Sequence, residues 1–299
     1  EAHLAEARES HTRRFKQAPA GLWPAEGALS MPFLKQVAES GFLWTASSQG
    51  VLKHSAGNDA RTRVAWQAPE GIPGDITLFF RNEHLSDLIG FEYAKWHGRD
   101  AAQHFMTELK ALHLKDDRNL IPVFLDGENA WEYYPYNGWY FFSDLYDSLS
   151  KNPGIRTVTL SEAAASQHER RVRLPRLTAG SWVFGTLSTW IGNPDKNRAW
   201  EMLCDIKQCA DRALDSEKMS KASRREVLRR LAICESSDWF WWLGDYNSPQ
   251  SVSCFDTLFR ENLKALYKLL NLPPPSNIDH PISKGGGEPE SGGTMRRAN

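Results

Sequence analysis

The sequence predicts an α/β protein, either an α/β barrel or an open α/β sheet, followed by a helical second half. Three observations carry this reading. Short unbroken apolar runs, DITLFF and LIPVFL among them, fit strands covered on both faces. Helical stretches of about 10–15 residues separate those runs. After Arg176 the strand pattern stops, and apolar residues recur at helical spacing.

Taken in order, residues 1–16 are charged with scattered apolar positions and read as a helix. Gly21–Ser30, GLWPAEGALS, is a turn-rich loop leading into a helix over Met31–Ser40, which Gly41 ends. Phe42–Ala46 and Asp75–Phe80 read as strands, the second buried. Ser86–Trp96 and Ala101–Leu114 carry helical periodicity. Leu120–Leu125 is a third strand, Trp139–Leu149 a helix, and Gly154–Leu160 a further strand. In the second half, Asp195–Leu214 sets Trp200, Leu203, Ile206, Ala210 and Leu214 at helical spacing. Ser220–Cys234 continues as helix, and Asp256–Leu270 aligns Phe259, Leu263, Leu266 and Leu270. From Pro273, PPPSN and then GGGEPESGG predict a polyproline exit and a flexible tail. The expected divisions are residues 1–176, 177–272 and 273–299.

Composition narrows the function. A chain of 299 residues can bury a large core without disulfides or a structural metal. With 36 Lys and Arg against 37 Asp and Glu, the net charge of −1 gives no footprint for nucleic acid. The four cysteines, Cys204, Cys209, Cys234 and Cys254, form no CxxC pair and no common zinc spacing. Cys204 and Cys209, in a helical stretch, read as small buried hydrophobes, and neither metal nor cofactor is expected. The charged start EAHLAEARES is no signal peptide, and no apolar run approaches the ~20 residues of a membrane span. A cytoplasmic protein without a membrane partner is the expectation. Twelve tryptophans are unusual for this length. An indole can fill a core, or cover the apolar face of a pyranose while its N–H donates a hydrogen bond.

Polar groups that follow apolar runs carry the chemistry. Asp126 ends LIPVFLD, with Glu128 and Trp131 just beyond. Burial beside apolar residues would disfavour its charge, as a general acid near neutral pH requires; alternatively, Asp126 caps a helix that begins near Glu128. Arg81 and His84 follow DITLFF, either as ligand contacts or as a solvated loop. Glu26 sits in WPAEG, where Trp23 and Pro24 stiffen the approach and Gly27 permits close passage. In SSDWFWWLGD, Asp238 lies beside Trp239 and Trp241 in a cluster where an unpaired charge is costly.

Together GLWPAEGALS, RNEHLSDLIGF, VFLDGENAWEYY, GSWVFGTLSTWIGNPDKNRAW and SSDWFWWLGD resemble glycoside hydrolase family 57, over roughly residues 21–275. That family holds α-amylases, glucanotransferases and branching enzymes on an incomplete (β/α)7 barrel. The resemblance implies that Glu26 is the nucleophile and Asp126 the acid/base of a retaining hydrolase or transferase acting on α-1,4 or α-1,6 linkages of α-glucans. Their carboxyl groups would then stand about 5–5.5 Å apart. It places Asp238 and Trp241 in the family's last active-site motif, within a helical region that completes the site. Trp23, Arg81, His84, Glu128, Trp131 and Trp239 join them as candidate substrate contacts, while Trp182 and Trp190 line the cleft or pack in the core.

Two departures stand out. The family's His-Gln-Pro motif on its first strand has no counterpart here, so the expectation is a barrel whose first strands are missing and come from an N-terminal part elsewhere. Asn247 stands where a histidine is expected. The alternative these raise is a non-catalytic glucan-binding or regulatory relative.

Overall fold

The computed structural model of the protein describes residues 1–113, 120–128, 130–216 and 219–288. They fall into two compact units, Glu1–Thr186 and Leu187–Thr294.

The first unit opens with α1 (Ala2–Phe15), β1 (Gly21–Leu22) and α2 (Met31–Glu39). Ser30 caps α2, its hydroxyl accepting from the Phe33 amide, and Pro32 sits in the first turn, where no amide bond is lost. β2 (Trp44–Ser47) and α3 (Gln49–Ala56) follow, with Ser48 capping α3. Next come β3 (Trp66–Gln67), β4 (Thr77–Phe80) and α4 (Glu83–Asp87), which Asn82 caps. The expected helix over Ser86–Trp96 is instead a π turn over Leu88–Glu92 and a 3₁₀ turn over Tyr93–Lys95. α5 (Gly98–His113), α6 (Trp139–Ser150), α7 (Leu160–Ser166) and β5 (Val172–Arg173) complete the unit. The predicted helix end at Leu114 and the tail residues 289–299 lie outside the described residues.

The strands form one sheet in the order β1-β2-β4-β3-β5, left open rather than closed into a barrel. β1, β2 and β4 are parallel neighbours; β3 runs antiparallel to β4 and parallel to β5. β4 explains the run DITLFF. Leu78 and Phe80 enter a core with Leu34, Val37, Leu52 and Trp66, while Phe79 points into a second with Ala46, Phe124 and Ala163. Both faces are covered, so no polar alternation appears. A third core holds α5 against α6 through Phe105, Met106, Phe141 and Leu145.

Two predicted strands are absent. Leu120–Leu125 is extended but is no strand. Pro122 has no N–H to give, its carbonyl accepts from Asn82 at 2.7 Å, and Phe124 donates to the Ser86 hydroxyl rather than to a neighbouring strand. Gly154–Leu160 is likewise irregular, because its end starts a helix: Thr159 and Glu162 form a reciprocal capping box for α7. α3 and the two-residue β3 lack a strong periodic signal and are not predicted.

The second unit contains α8 (Pro194–Asp215), α9 (Lys221–Cys234), α10 (Ser237–Trp242) and α11 (Pro249–Leu269). α11 begins earlier than predicted, at a Ser248 cap. Where a flexible exit is expected, the chain packs back. Asp256 and Arg260, a buried ion pair 2.8 Å apart, accept the Ile282 amide and donate to the Ile278 carbonyl. Among the described residues no helix is long and apolar enough to cross a membrane.

The segment Gly180–Thr186 is fitted against the end of β2 with no spare room. A Cβ on Gly180 would stand 2.2 Å from the Gly185 carbonyl oxygen, backbone that cannot swing away. Gly180→Ala should therefore destabilise the protein by about 1–3 kcal/mol, read as a lower unfolding midpoint in urea or heat.

Candidate active site

Three parallel strands deliver polar residues to one edge of the sheet. β1 runs into Trp23–Glu26, β2 ends at Ser47 and Ser48, and β4 ends at Arg81. Glu26 sits at a sharp corner with φ 59° and ψ 17°, a left-handed conformation that a non-glycine residue adopts at some cost. Gly27 continues the corner at φ 57°, and its carbonyl accepts from the Ser47 hydroxyl at 2.6 Å.

A distant segment holds this corner. The Trp182 indole N–H donates to Glu26 Oε2 at 2.6 Å, and the Trp182 amide donates to the Glu26 carbonyl at 2.9 Å. Trp182 is itself fixed. A two-way backbone pair joins Leu29 and Gly180, the Ser48 hydroxyl donates to the Ser181 carbonyl, and His54 bonds the Gly185 carbonyl.

Rings and one cation link Glu26 to the Asp126 segment. Trp23 meets Trp182 edge-on at 5.5 Å and stacks on Phe124 at 5.0 Å, two residues before Asp126. The buried Arg81 guanidinium lies over the Trp182 ring at 5.1 Å and donates to Asp87 at 2.7 Å. Trp23, Glu26, Arg81 and Trp182 thus form one contact network, with Phe124 carrying the chain on to Asp126.

The electrostatics of the two further carboxylates follow from burial. Desolvation pushes the Asp126 carboxyl above its ordinary value; the Glu128 charge adds to this, and Arg81 opposes it. Glu83, which the sequence reading passed over, is also raised, first by burial. The Gly50 amide, donating to its Oε1 at 2.9 Å, and the Arg81 charge pull it back. The position of Glu83 after a buried strand, three residues from Phe80, is the signal that could have found it.

The remaining candidates make contacts of their own. His84 is exposed and bonds Glu108 of α5 at 2.8 Å. Glu128 is exposed. Trp131 packs on Tyr134 and Phe142, and its N–H holds the Asp126 carbonyl at 3.3 Å. In the second unit Asp238 is exposed, not enclosed by aromatics, and accepts from the Ser236 hydroxyl at 2.7 Å. Trp239 bonds the Ile233 carbonyl and packs on Phe255 and Phe259. The Trp241 ring rests against Trp242 and Tyr246. Trp190 is buried, and Asn247 clips the Trp241 and Trp242 carbonyls at 3.0 and 3.2 Å. Among the described residues no three His, Cys, Asp or Glu side chains gather as a metal-ligand set. A surface hollow of about 410 Å³ lies between α1 and α2, lined by Glu1, Arg8 and Glu39, and shares none of the network's side chains.

Comparison with known proteins follows this geometry. The profile described as Glycosyl hydrolase family 57 matches residues 1–175. No curated protein matches the chain. Among solved structures, a GH57 branching enzyme from Thermococcus kodakaraensis superposes with a TM-score of 0.64 at 15% identity, over 96% of this chain and 70% of that one. A GH57-type branching enzyme from Pyrococcus horikoshii gives 0.62 at 16%, over 94% and 68%. An α-amylase from Thermotoga maritima gives 0.67 at 15%, over 88% and 61%. At these identities the likeness is one of fold, an α/β barrel type with its sheet open here.

The raised Asp126 has a consequence for stability. A group whose folded pKa exceeds its unfolded value adds stability that is fully present below the unfolded pKa, ordinarily 3.8, and lost as pH rises through the folded value. At neutral pH the native state therefore carries a disfavoured charge. Asp126→Asn should unfold at a higher temperature than the wild type at pH 7, with the gain vanishing below pH 3.8. Equal midpoints at both pH values would show that Asp126 is not desolvated.

Proposed function

Because this chain belongs to glycosyl hydrolase family 57, we propose that it cleaves or transfers the α-1,4 or α-1,6 bonds of α-glucans by double displacement. Glu26 attacks the anomeric carbon while Asp126 gives its proton to the departing glycosidic oxygen. In the second step Asp126 takes a proton from water or from an acceptor hydroxyl, and that oxygen displaces Glu26. Water makes the chain a hydrolase; a sugar acceptor makes it a transferase.

The observation that carries this reading is the 2.6 Å bond from Trp182 to Glu26 Oε2. A nucleophile must be aimed, and an indole N–H can only donate, so the bond fixes the rotation of the Glu26 carboxyl group. The burial that raises Asp126 suits the partner that must arrive protonated. Trp23 stacks on Phe124 and meets Trp182 edge-on, which ties the Glu26 corner to the segment that leads into Asp126. The structural neighbours named as branching enzymes and an α-amylase support α-glucan as the substrate class.

Glu26→Gln and Asp126→Asn should each lower the release or transfer of glucose chains from amylose or glycogen by at least about a hundredfold. Wild-type turnover in either variant ends the assignment. Trp182→Phe keeps an aromatic ring, though a smaller one, but removes the donor, and should lower kcat by about tenfold with KM little changed. A change confined to KM would make Trp182 a sugar contact rather than the residue that aims Glu26.

A further inference from the structure

Downstream of Asp126 runs an aromatic-rich stretch that the proposed reaction does not use. Its inner rings are core: Tyr134 and Phe141 are buried and pack on each other, and Phe141 packs on Tyr93. The outer rings are not. Tyr136 is 77% exposed, Trp139 69%, Tyr146 60% and Tyr140 55%. So many large rings left in water on one short segment mark a surface that binds something.

Their arrangement is ordered. Trp139, Phe142 and Tyr146 stand at i, i+3 and i+7 of α6, along one helix face. Trp131 contacts Phe142 at 4.9 Å, and Phe142 stacks on Tyr146 at 5.7 Å with planes 17° apart. The series begins at the candidate site, since the Trp131 N–H holds the Asp126 carbonyl. Tyr136 and Tyr140 meet edge-on at 5.2 Å beside it. The turn that presents these rings is bent against preference, with positive φ at Ala130, Tyr136 and Asn137. Such strain persists where the surrounding structure enforces it and gathers at binding sites.

We propose that this face of α6 is a track for a carbohydrate chain, stacking successive pyranose rings of one α-glucan whose reacting bond lies near Asp126. That the sugar is an α-glucan rests on the function proposed above; the stacking surface rests on the rings alone. Flat indole and phenol faces match the apolar C–H faces of pyranoses, while the tyrosine hydroxyls can donate or accept and the Glu132 carboxylate can accept from sugar hydroxyls. A protein partner fits less well. The leucines of α6 are spent on the core, and its exposed face offers rings, serines and aspartates without an aliphatic or arginine anchor.

The test is affinity electrophoresis of the full chain in gels carrying glycogen or, as a β-glucan control, hydroxyethyl cellulose. It compares the wild type, Glu26→Gln and the triple variant Tyr136→Ala/Trp139→Ala/Tyr146→Ala, with the unfolding midpoint and solution mass of each. Glycogen should slow the wild type and Glu26→Gln alike. In the triple variant the dissociation constant for glycogen should rise at least about tenfold, with midpoint and mass unchanged. If the triple variant is less stable, Tyr136→Ala and Trp139→Ala singly should each weaken binding in the same direction. Three results overturn the track: no retardation of the wild type, wild-type retardation of the triple variant, or equal retardation by the cellulose gel. A triple variant that changes only in solution mass identifies a protein-binding face and overturns it equally. Loss of glycogen binding in the triple variant of a chain without turnover upholds the track and removes only the catalytic reading.

Discussion

Burial of β4 on both faces is the constraint from which the rest of the first unit follows. Thr77–Phe80 has no solvent face, so it can hold no charge without a heavy desolvation penalty. Polar chemistry is pushed to the point where the strand ends, and Arg81, Asn82 and Glu83 appear there in succession. Because β1, β2 and β4 run parallel, their exits share an edge. Glu26 and its tryptophan, the two serines after β2 and the arginine after β4 converge for that reason alone.

Convergence still has to be fixed in place. The left-handed backbone at Glu26 stores strain on the order of 1–2 kcal/mol. Its surroundings over-determine it. The Trp182 amide takes the Glu26 carbonyl, Ser47 takes the Gly27 carbonyl, and the Leu29–Gly180 pair locks the following turn. The glycines at 50, 180 and 185 let two backbone segments approach more closely than side chains would allow. Backbone strain at the acid is thus matched by backbone contact around it.

A single buried cation organises the charges. Arg81 is bonded to Asp87, lies over Trp182, and opposes the burial-driven rise of both Asp126 and Glu83. In a poorly solvated setting such couplings act more strongly than they would at the surface. The raised acid and the oriented acid are therefore distinguished by environment rather than by residue type, Asp126 by desolvation and Glu26 by a donated hydrogen bond.

By itself the sequence determined the elements whose signal is local. DITLFF as a strand, the amphipathic helices α8, α9 and α11, and a carboxylate just past a buried run could all be read from periodicity and position, and the motif around Glu26 pointed to the family. LIPVFL and GIRTVTL misled, because an apolar run does not reveal that Pro122 cannot pair or that Thr159 turns the chain into a helix. Nor does local pattern show that Asp238 faces water or that residues 276–287 pack against α11 and its cap. Only the tertiary structure decided that Trp182, more than a hundred residues away, donates to Glu26, and that Arg81 lies over the Trp182 ring. Periodicity reports which side of an element is buried; which residue meets it there depends on chain crossings that leave no trace in neighbouring residues.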